Sequence, residues 1–200
     1  MYKIESILPV PFYTNYVPFK FNKKQKDFIK KAKRKNNSYN KSTLNTYVLN
    51  LPLFKNFKKH LEKELANYVQ KVLIAEDRTK FFITQSWFNF TQPGEKHHAH
   101  EHPNSFISGV YYVNAFENLD SIVLNTHKVT RIKLPAKNVN EFTGAKYPHK
   151  VKTGDFVMFP SYLNHQVKAK EGSGERISLA FNVFVKGKIG DEIGLWELRL

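Results

Sequence analysis

Residues 81–114 read FFITQSWFNFTQPGEKHHAHEHPNSFISGVYYVN, and their pattern sets the architecture. Two runs rich in aromatic and β-branched residues, 81–90 and 106–114, are separated by a Pro93-Gly94 turn, a histidine run and a Pro103-Asn104 turn. Short β-prone runs bounded by turn residues read as strands. The same rhythm continues downstream with SIVLNT (121–126), VTRIKL (129–134), FVMFP (156–160), HQVKA (165–169), RISLAFNVFV (176–185) and LWELRL (195–200). Breaks fall at Glu117-Asn118-Leu119-Asp120, at Pro148, at Gly154-Asp155 and at Gly172-Ser173-Gly174. Many short strands at this spacing predict a sandwich or barrel-like β core. There is no room for the crossover helices that a parallel α/β sheet requires.

Upstream of this region the period changes. Leu53, Phe57, Leu61, Leu65, Val69 and Val72 recur every four and then three residues, which places them on one helical face. The spacing predicts an amphipathic helix over about 53–73, lying outside the sheet, with Pro52 at its first position and Glu62, Lys63 and Glu64 turned away from the core. The first thirteen residues read as a short peripheral strand, with Ile4, Leu8 and Val10 on one face and Pro9 and Pro11 arguing against a central place. A basic segment occupies 20–41. Within Lys20–Lys35 there are nine Lys or Arg residues against the single acid Asp27, a density that suits either a short basic helix or a mobile arm.

Two hundred residues suffice for one core, and the expectation is a single domain over 1–200. The absence of cysteine excludes disulfides, thiolate metal sites and thiol nucleophiles. No apolar run reaches membrane-spanning length, and the N-terminus lacks the apolar core of a signal peptide, so a cytoplasmic protein is expected. The formal net charge of +15 suits contact with a polyanion such as nucleic acid. Lys20–Lys35 is the segment expected to make that contact, without a part in the chemistry.

The chemistry is carried by His97-His98-Ala99-His100-Glu101-His102. On a regular strand His98, His100 and His102 share one face while His97, Ala99 and Glu101 take the other. Imidazoles two residues apart can hold one metal ion, and a third ligand must come from elsewhere in the fold. His165, at the start of a predicted strand 63 residues beyond His102, is placed to supply it. Three protein ligands leave coordination positions open for a co-substrate and oxygen, as an oxygenase site requires. Histidines at this density also occur on surface strands and in structural zinc sites.

Three blocks carry a resemblance: TQSWFNFTQPGEKHHAHEHPNSFISGVYYVN (84–114), KTGDFVMFPSYLNHQV (152–167) and RISLAFNVFVKGKIG (176–190). They resemble a family of Fe(II)/2-oxoglutarate-dependent oxygenases related to the prolyl hydroxylases, many of whose members are encoded by bacteriophages, notably cyanophages. The resemblance implies a mainly β fold, the double-stranded β-helix or jelly roll, with one or two flanking helices. It implies Fe(II) held by His100, His102 and His165, and 2-oxoglutarate held at its far carboxylate by Arg176, eleven residues past His165, with Ser178 beside it. Asn89 and Tyr111 are expected on the co-substrate side of the pocket, with Trp87 and Asn182 completing its lining. In the wider superfamily the second ligand is usually Asp or Glu. Here that position is His102, so Glu101 is the substitute ligand to consider if a bulge turns it inward, and His98 is an alternative partner for His100.

The reaction implied is a 2-oxoglutarate- and O2-dependent oxidation, a hydroxylation, of an unidentified small molecule or protein side chain, with release of succinate and CO2. In a phage-encoded protein it would take place in the host cytoplasm. Two other readings fit the same residues. One is a three-histidine metal dioxygenase that does not use 2-oxoglutarate, for which a distal Arg176 has no purpose. The other is a non-catalytic protein that keeps the barrel and binds nucleic acid or a virion component.

Overall fold

The computed structural model describes residues 3–7, 9–125, 138 and 144–200. In chain order the elements are β1 (Tyr13–Tyr16), α1 (Lys23–Lys31), β2 (Arg34–Asn37), β3 (Asn40–Thr43), α2 (Lys55–Tyr68), β4 (Thr79–Thr91), β5 (His97–His100), β6 (Ile107–Asn114), β7 (Ser121–Asn125), β8 (Lys146–Lys150), β9 (Asp155–Pro160), β10 (His165–Val167), β11 (Arg176–Ile189) and β12 (Leu198–Arg199). The strands form two antiparallel sheets. The larger has eight strands in the order β1-β9-β6-β11-β4-β3-β2 with β12 added on β11, and the smaller runs β5-β10-β7-β8. This is the β core expected from the strand rhythm, arranged as the jelly roll that the resemblance implies.

Strand alternation divides the large sheet between two cores. Phe88 and Phe90 of β4, Ile107 and Tyr111 of β6, Phe156 and Met158 of β9, and Leu179, Phe181 and Val183 of β11 pack under the helices with Phe54, Phe57, Leu61 and Leu65. The opposite face turns toward the small sheet, where Tyr112, Ile122, Leu124, Val157, Phe159 and Leu163 form a second cluster. Gly109 is needed at the center of β6 because a Cβ there would lie 2.2 Å from Cζ of Phe181, its cross-strand partner.

The outer helix begins as a 3₁₀ turn at Pro52–Phe54, continues as α2, and ends in a π turn at Val69–Leu73. Glu64 departs from the sequence reading. It is buried, and it accepts hydrogen bonds from Tyr13 Oη (2.7 Å) and Asn15 Nδ2 (2.8 Å), which tie the edge strand β1 to the helix. The peripheral strand itself lies at Tyr13–Tyr16 rather than within the first thirteen residues, because only there does the backbone reach the ladder of β9. Two short strands of the large sheet, β2 and β3, come from a polar hairpin that carries no hydrophobic alternation. Pro148, expected as a break, sits inside β8, an edge strand where a missing N–H can face away from the ladder. The predicted strand 129–134 and Leu8 lie outside the described residues.

Within the basic segment, Lys23–Lys31 form an anchored helix. Asn22 and Gln25 form a reciprocal capping box at the start of α1. Gln25 Nε2 also donates to the Leu53 carbonyl and to Asn56 Oδ1, both at 2.9 Å. Phe28 packs edge-on to Phe54 and Ile29 is buried, while Lys23, Lys24, Lys26, Lys30 and Lys31 are exposed. Arg34 is not part of that outward face: it pairs with Glu175 at 2.6 Å and stacks over Phe90. Among the described residues no helix is long and apolar enough to cross a membrane.

Candidate metal centre

β5 and β10 are neighbors in the small sheet, and their register sets His165 directly across from His100. The register then slips. Val167 is opposite His97, so His98 and Ala99 of β5 stand against the single Gln166 of β10. This bulge overturns the regular alternation: His97 shares the pocket face with His100, their rings stacked at 4.5 Å, while His98 is exposed beside Tyr39. His98 is therefore not the partner of His100. His102 lies just past the end of β5, where its backbone N–H donates to the Ser161 carbonyl at 3.1 Å. That bond ties it to the loop that delivers His165.

The three imidazoles converge. Ring centroids are 4.3 Å apart for His100–His165, 5.0 Å for His100–His102 and 5.1 Å for His102–His165. One nitrogen from each lies within 4.8 Å of the other two. Glu101 is exposed and outside this group. Ring orientation is fixed by backbone carbonyls: Nδ1 of His165 donates to Leu163 O at 2.9 Å and Nδ1 of His100 to His98 O at 2.8 Å. A carbonyl only accepts, so Nδ1 carries the proton and Nε2 keeps its lone pair for a metal. Trp87 stacks on His102 at 5.9 Å, Phe159 meets the His165 ring edge-on at 4.7 Å, and Asn182 stands beside His102.

Burial also keeps these rings neutral. It lowers the pKa of His165 to about 3 and of His102 to about 4, with neighboring imidazoles adding to the effect. His97 is pushed to about 3 by burial and by the other histidines, and His100 is lowered mainly by burial. A neutral imidazole is the form that ligates metal. Three neutral nitrogen donors on a rigid rim, each backed by packing, fit a divalent transition ion such as Fe(II).

The same rim opens on a pocket walled by the strands of both sheets. Arg176, Ser178 and Ala180 of β11 line one wall and Trp87, Asn89 and Thr91 of β4 line the next. Arg176 is 4% exposed, and its guanidinium donates to Asp120 Oδ1 at 3.2 Å. Tyr111 is a correction. Ser108, Val110 and Tyr112 face the pocket, so Tyr111 must face the helices; its ring lies 5.0 Å from Phe57 and its Oη accepts the Phe19 N–H at 3.0 Å. Tyr112 takes the position expected of Tyr111. Asn182 is not in the lining, although it remains beside His102.

Sequence reasoning missed His97, Asn40, Asp120 and Lys170. Asn40 reaches the pocket from β3, with Nδ2 donating to Thr91 Oγ1 at 3.3 Å. Asp120 reads as part of a turn, and Lys170 directly follows the run 165–169. The one signal available for either was a charged residue immediately flanking a β-like run.

Three convergent imidazoles and a buried arginine thus line one pocket of the jelly roll. Residues 85–182 match the model of a family described as "Putative 2OG-Fe(II) oxygenase", and this segment contains the three histidines together with Arg176 and Ser178. That segment is similar to the 2-oxoglutarate/Fe(II) oxygenases, a family of dioxygenase enzymes whose cofactors are Fe(II) and 2-oxoglutarate. Among solved structures, the chain resembles HygX of Streptomyces hygroscopicus with nickel and 2-oxoglutarate bound, at 11% identity and a TM-score of 0.63 over 87% of this chain and 82% of HygX. It also resembles a prolyl-4-hydroxylase of Pseudomonas putida, at 12% identity and a TM-score of 0.55 over 86% of this chain and 92% of that one. An oxidoreductase of the 2OG-Fe(II) oxygenase family from Burkholderia pseudomallei gives 12% identity and a TM-score of 0.56 over 86% and 83%. These likenesses bear on the fold. No curated protein matches the chain.

Proposed function

We propose that His100, His102 and His165 hold Fe(II), that Arg176 and Ser178 receive the far carboxylate of 2-oxoglutarate, and that the protein hydroxylates a C–H bond with release of succinate and CO2. The observation that supports this most is the pairing of three convergent neutral imidazoles with a buried guanidinium on the wall of the same pocket. Bound Fe(II) and 2-oxoglutarate would supply the O2-dependent oxidation; the chain supplies geometry. Carbonyl-anchored Nδ1 protons fix the ligand tautomer. The planar fork of Arg176 fits a carboxylate bidentately, and the hydroxyl of Ser178, on the same strand face, offers a further donor. Phe159 and Val110 give the inner wall an apolar character that limits water.

The substrate is a small molecule or a protein side chain; HygX, for comparison, has been solved with hygromycin B bound. The outward lysines of α1 form a surface for sequence-indifferent polyanion contact, apart from the pocket residues named above. The test is anaerobic loading with Fe(II), then O2-dependent conversion of 2-oxoglutarate to succinate without added substrate. The parent should turn over slowly and His165→Ala should not, with the fold checked by circular dichroism. Oxygen consumption without succinate would favor the three-histidine dioxygenase. Metal binding with neither would favor the non-catalytic reading.

A further inference from the structure

We propose that Asp120 and Lys170 are a positioning pair behind Arg176, in which Asp120 aims the guanidinium and Lys170 offsets the charge of Asp120 so that this end of the pocket stays attractive to an anion. This rests on the reading that Arg176 receives the carboxylate of 2-oxoglutarate.

The side chains of Asp120 and Lys170 are fully buried, and neither lines the pocket. Asp120 Oδ2 accepts the Phe116 N–H at 2.9 Å, which pins the carboxylate to the turn before β7. Its Oδ1 faces two cations, Arg176 Nη1 at 3.2 Å and Lys170 Nζ at 3.7 Å. Lys170 is held as firmly. Its Nζ donates to the Glu171 carbonyl at 3.1 Å and sits 4.6 Å from the center of the Phe116 ring. Its backbone bonds Glu95 O at 2.8 Å and receives the Gly94 N–H at 2.9 Å, so the turn after β4 fixes this residue.

The charges do not balance. Two cations share one carboxylate in a buried place, and a buried ionic group without full compensation is costly. With Asp120 alone, the guanidinium would be neutralized and an approaching dicarboxylate would feel the repulsion of Asp120. Lys170 removes that repulsion and leaves one net positive charge against the pocket wall. A carboxylate bound at Arg176 completes a balanced set of two cations and two anions. The ion pair with Asp120 meanwhile engages Nη1 of the five-donor fork and restricts the directions in which the other donors can point.

The proposal separates from a merely structural ion cluster by what Lys170 does to affinity. Lys170→Met leaves a one-to-one pair of Asp120 and Arg176 and is expected to fold. Lys170→Gln, which keeps a donor for the Glu171 carbonyl, is the second variant. Calorimetry of 2-oxoglutarate binding to Mn(II)-loaded protein should show both weaker than the parent by about tenfold or more. Lys170→Arg should restore binding to within about threefold, since it returns the charge. In uncoupled turnover the KM for 2-oxoglutarate should rise while kcat at saturation changes by less than about twofold. Mn(II) affinity should not change in any of the three. Equal 2-oxoglutarate affinities in the parent, Lys170→Met and Lys170→Gln would overturn the proposal. If Arg176→Lys weakens binding while the Lys170 variants do not, this proposal fails and the role of Arg176 stands. If neither weakens it, both fail.

Discussion

Lowering the pH of the metal-free protein from about 7.5 to about 5.5 should remove a large part of its stability, because the histidine cluster stays neutral when folded. A free imidazole has a pKa of about 6.5. In the fold, burial and mutual repulsion hold His97 and His165 at about 3 and His102 at about 4. Between those values the unfolded chain binds protons that the folded chain refuses, so stability rises with pH across the window. It is fully present above about pH 6.5 and is lost as pH falls toward the folded values. One pH unit below 6.5, each such histidine costs about 1.4 kcal/mol, so the three together cost about 4 kcal/mol. His100 is lowered too and adds in the same direction. Total stabilities of about 5–15 kcal/mol make such a loss easy to detect. Urea unfolding of chelator-treated protein at both pH values measures it. The control is the triple variant His97→Gln, His102→Gln, His165→Gln, which keeps His149 and the other titrating groups. The parent should lose several kcal/mol more than the variant. Equal losses would show that the imidazoles are not held neutral by the fold and would refute the reasoning.

Other expected outcomes follow from individual contacts. Gly109→Ala drives a Cβ into the Phe181 ring and should cost about 1–3 kcal/mol, read as a lower urea midpoint; an unchanged midpoint would show that Phe181 can move aside freely. Arg176→Lys keeps the charge but loses the fork, so 2-oxoglutarate affinity should drop while Mn(II) affinity stays, as calorimetry would show. Replacing Lys23, Lys24, Lys26, Lys30 and Lys31 with Gln should weaken anisotropy-monitored binding to DNA and RNA and flatten its salt dependence over about 50 to 200 mM. The same variant should retain uncoupled 2-oxoglutarate turnover. Binding equal to the parent would end the docking role of α1.

The β core was legible because hydrophobic alternation is a local signal. The runs 81–90, 106–114 and 176–185 all became strands, and the four-then-three spacing from Leu53 to Val72 became α2 with its flanking turns. The hairpin of β2 and β3 left no such trace, since its residues are polar and its place is set by the pairing of β3 with β4. Within the site, the convergence of His100, His102 and His165 was anticipated, but the face assignments of their neighbors were not. Parity along β5 depends on a bulge that only the register with β10 reveals, so His97 and His98 exchanged places. On β6 the inward set is fixed by which face packs on the helices, so Tyr112 rather than Tyr111 entered the pocket. Asp120 and Lys170 meet Arg176 only through tertiary structure, across separations that no local pattern encodes.

The most direct test of the central claim is a crystal structure of the protein loaded anaerobically with Mn(II) and 2-oxoglutarate. The account predicts ring nitrogens of His100, His102 and His165 at roughly 2.0–2.2 Å from the metal, with the far carboxylate of 2-oxoglutarate on Arg176. A metal bound by Glu101 with His102 turned away, or His165 standing well outside roughly 2 Å, would contradict it.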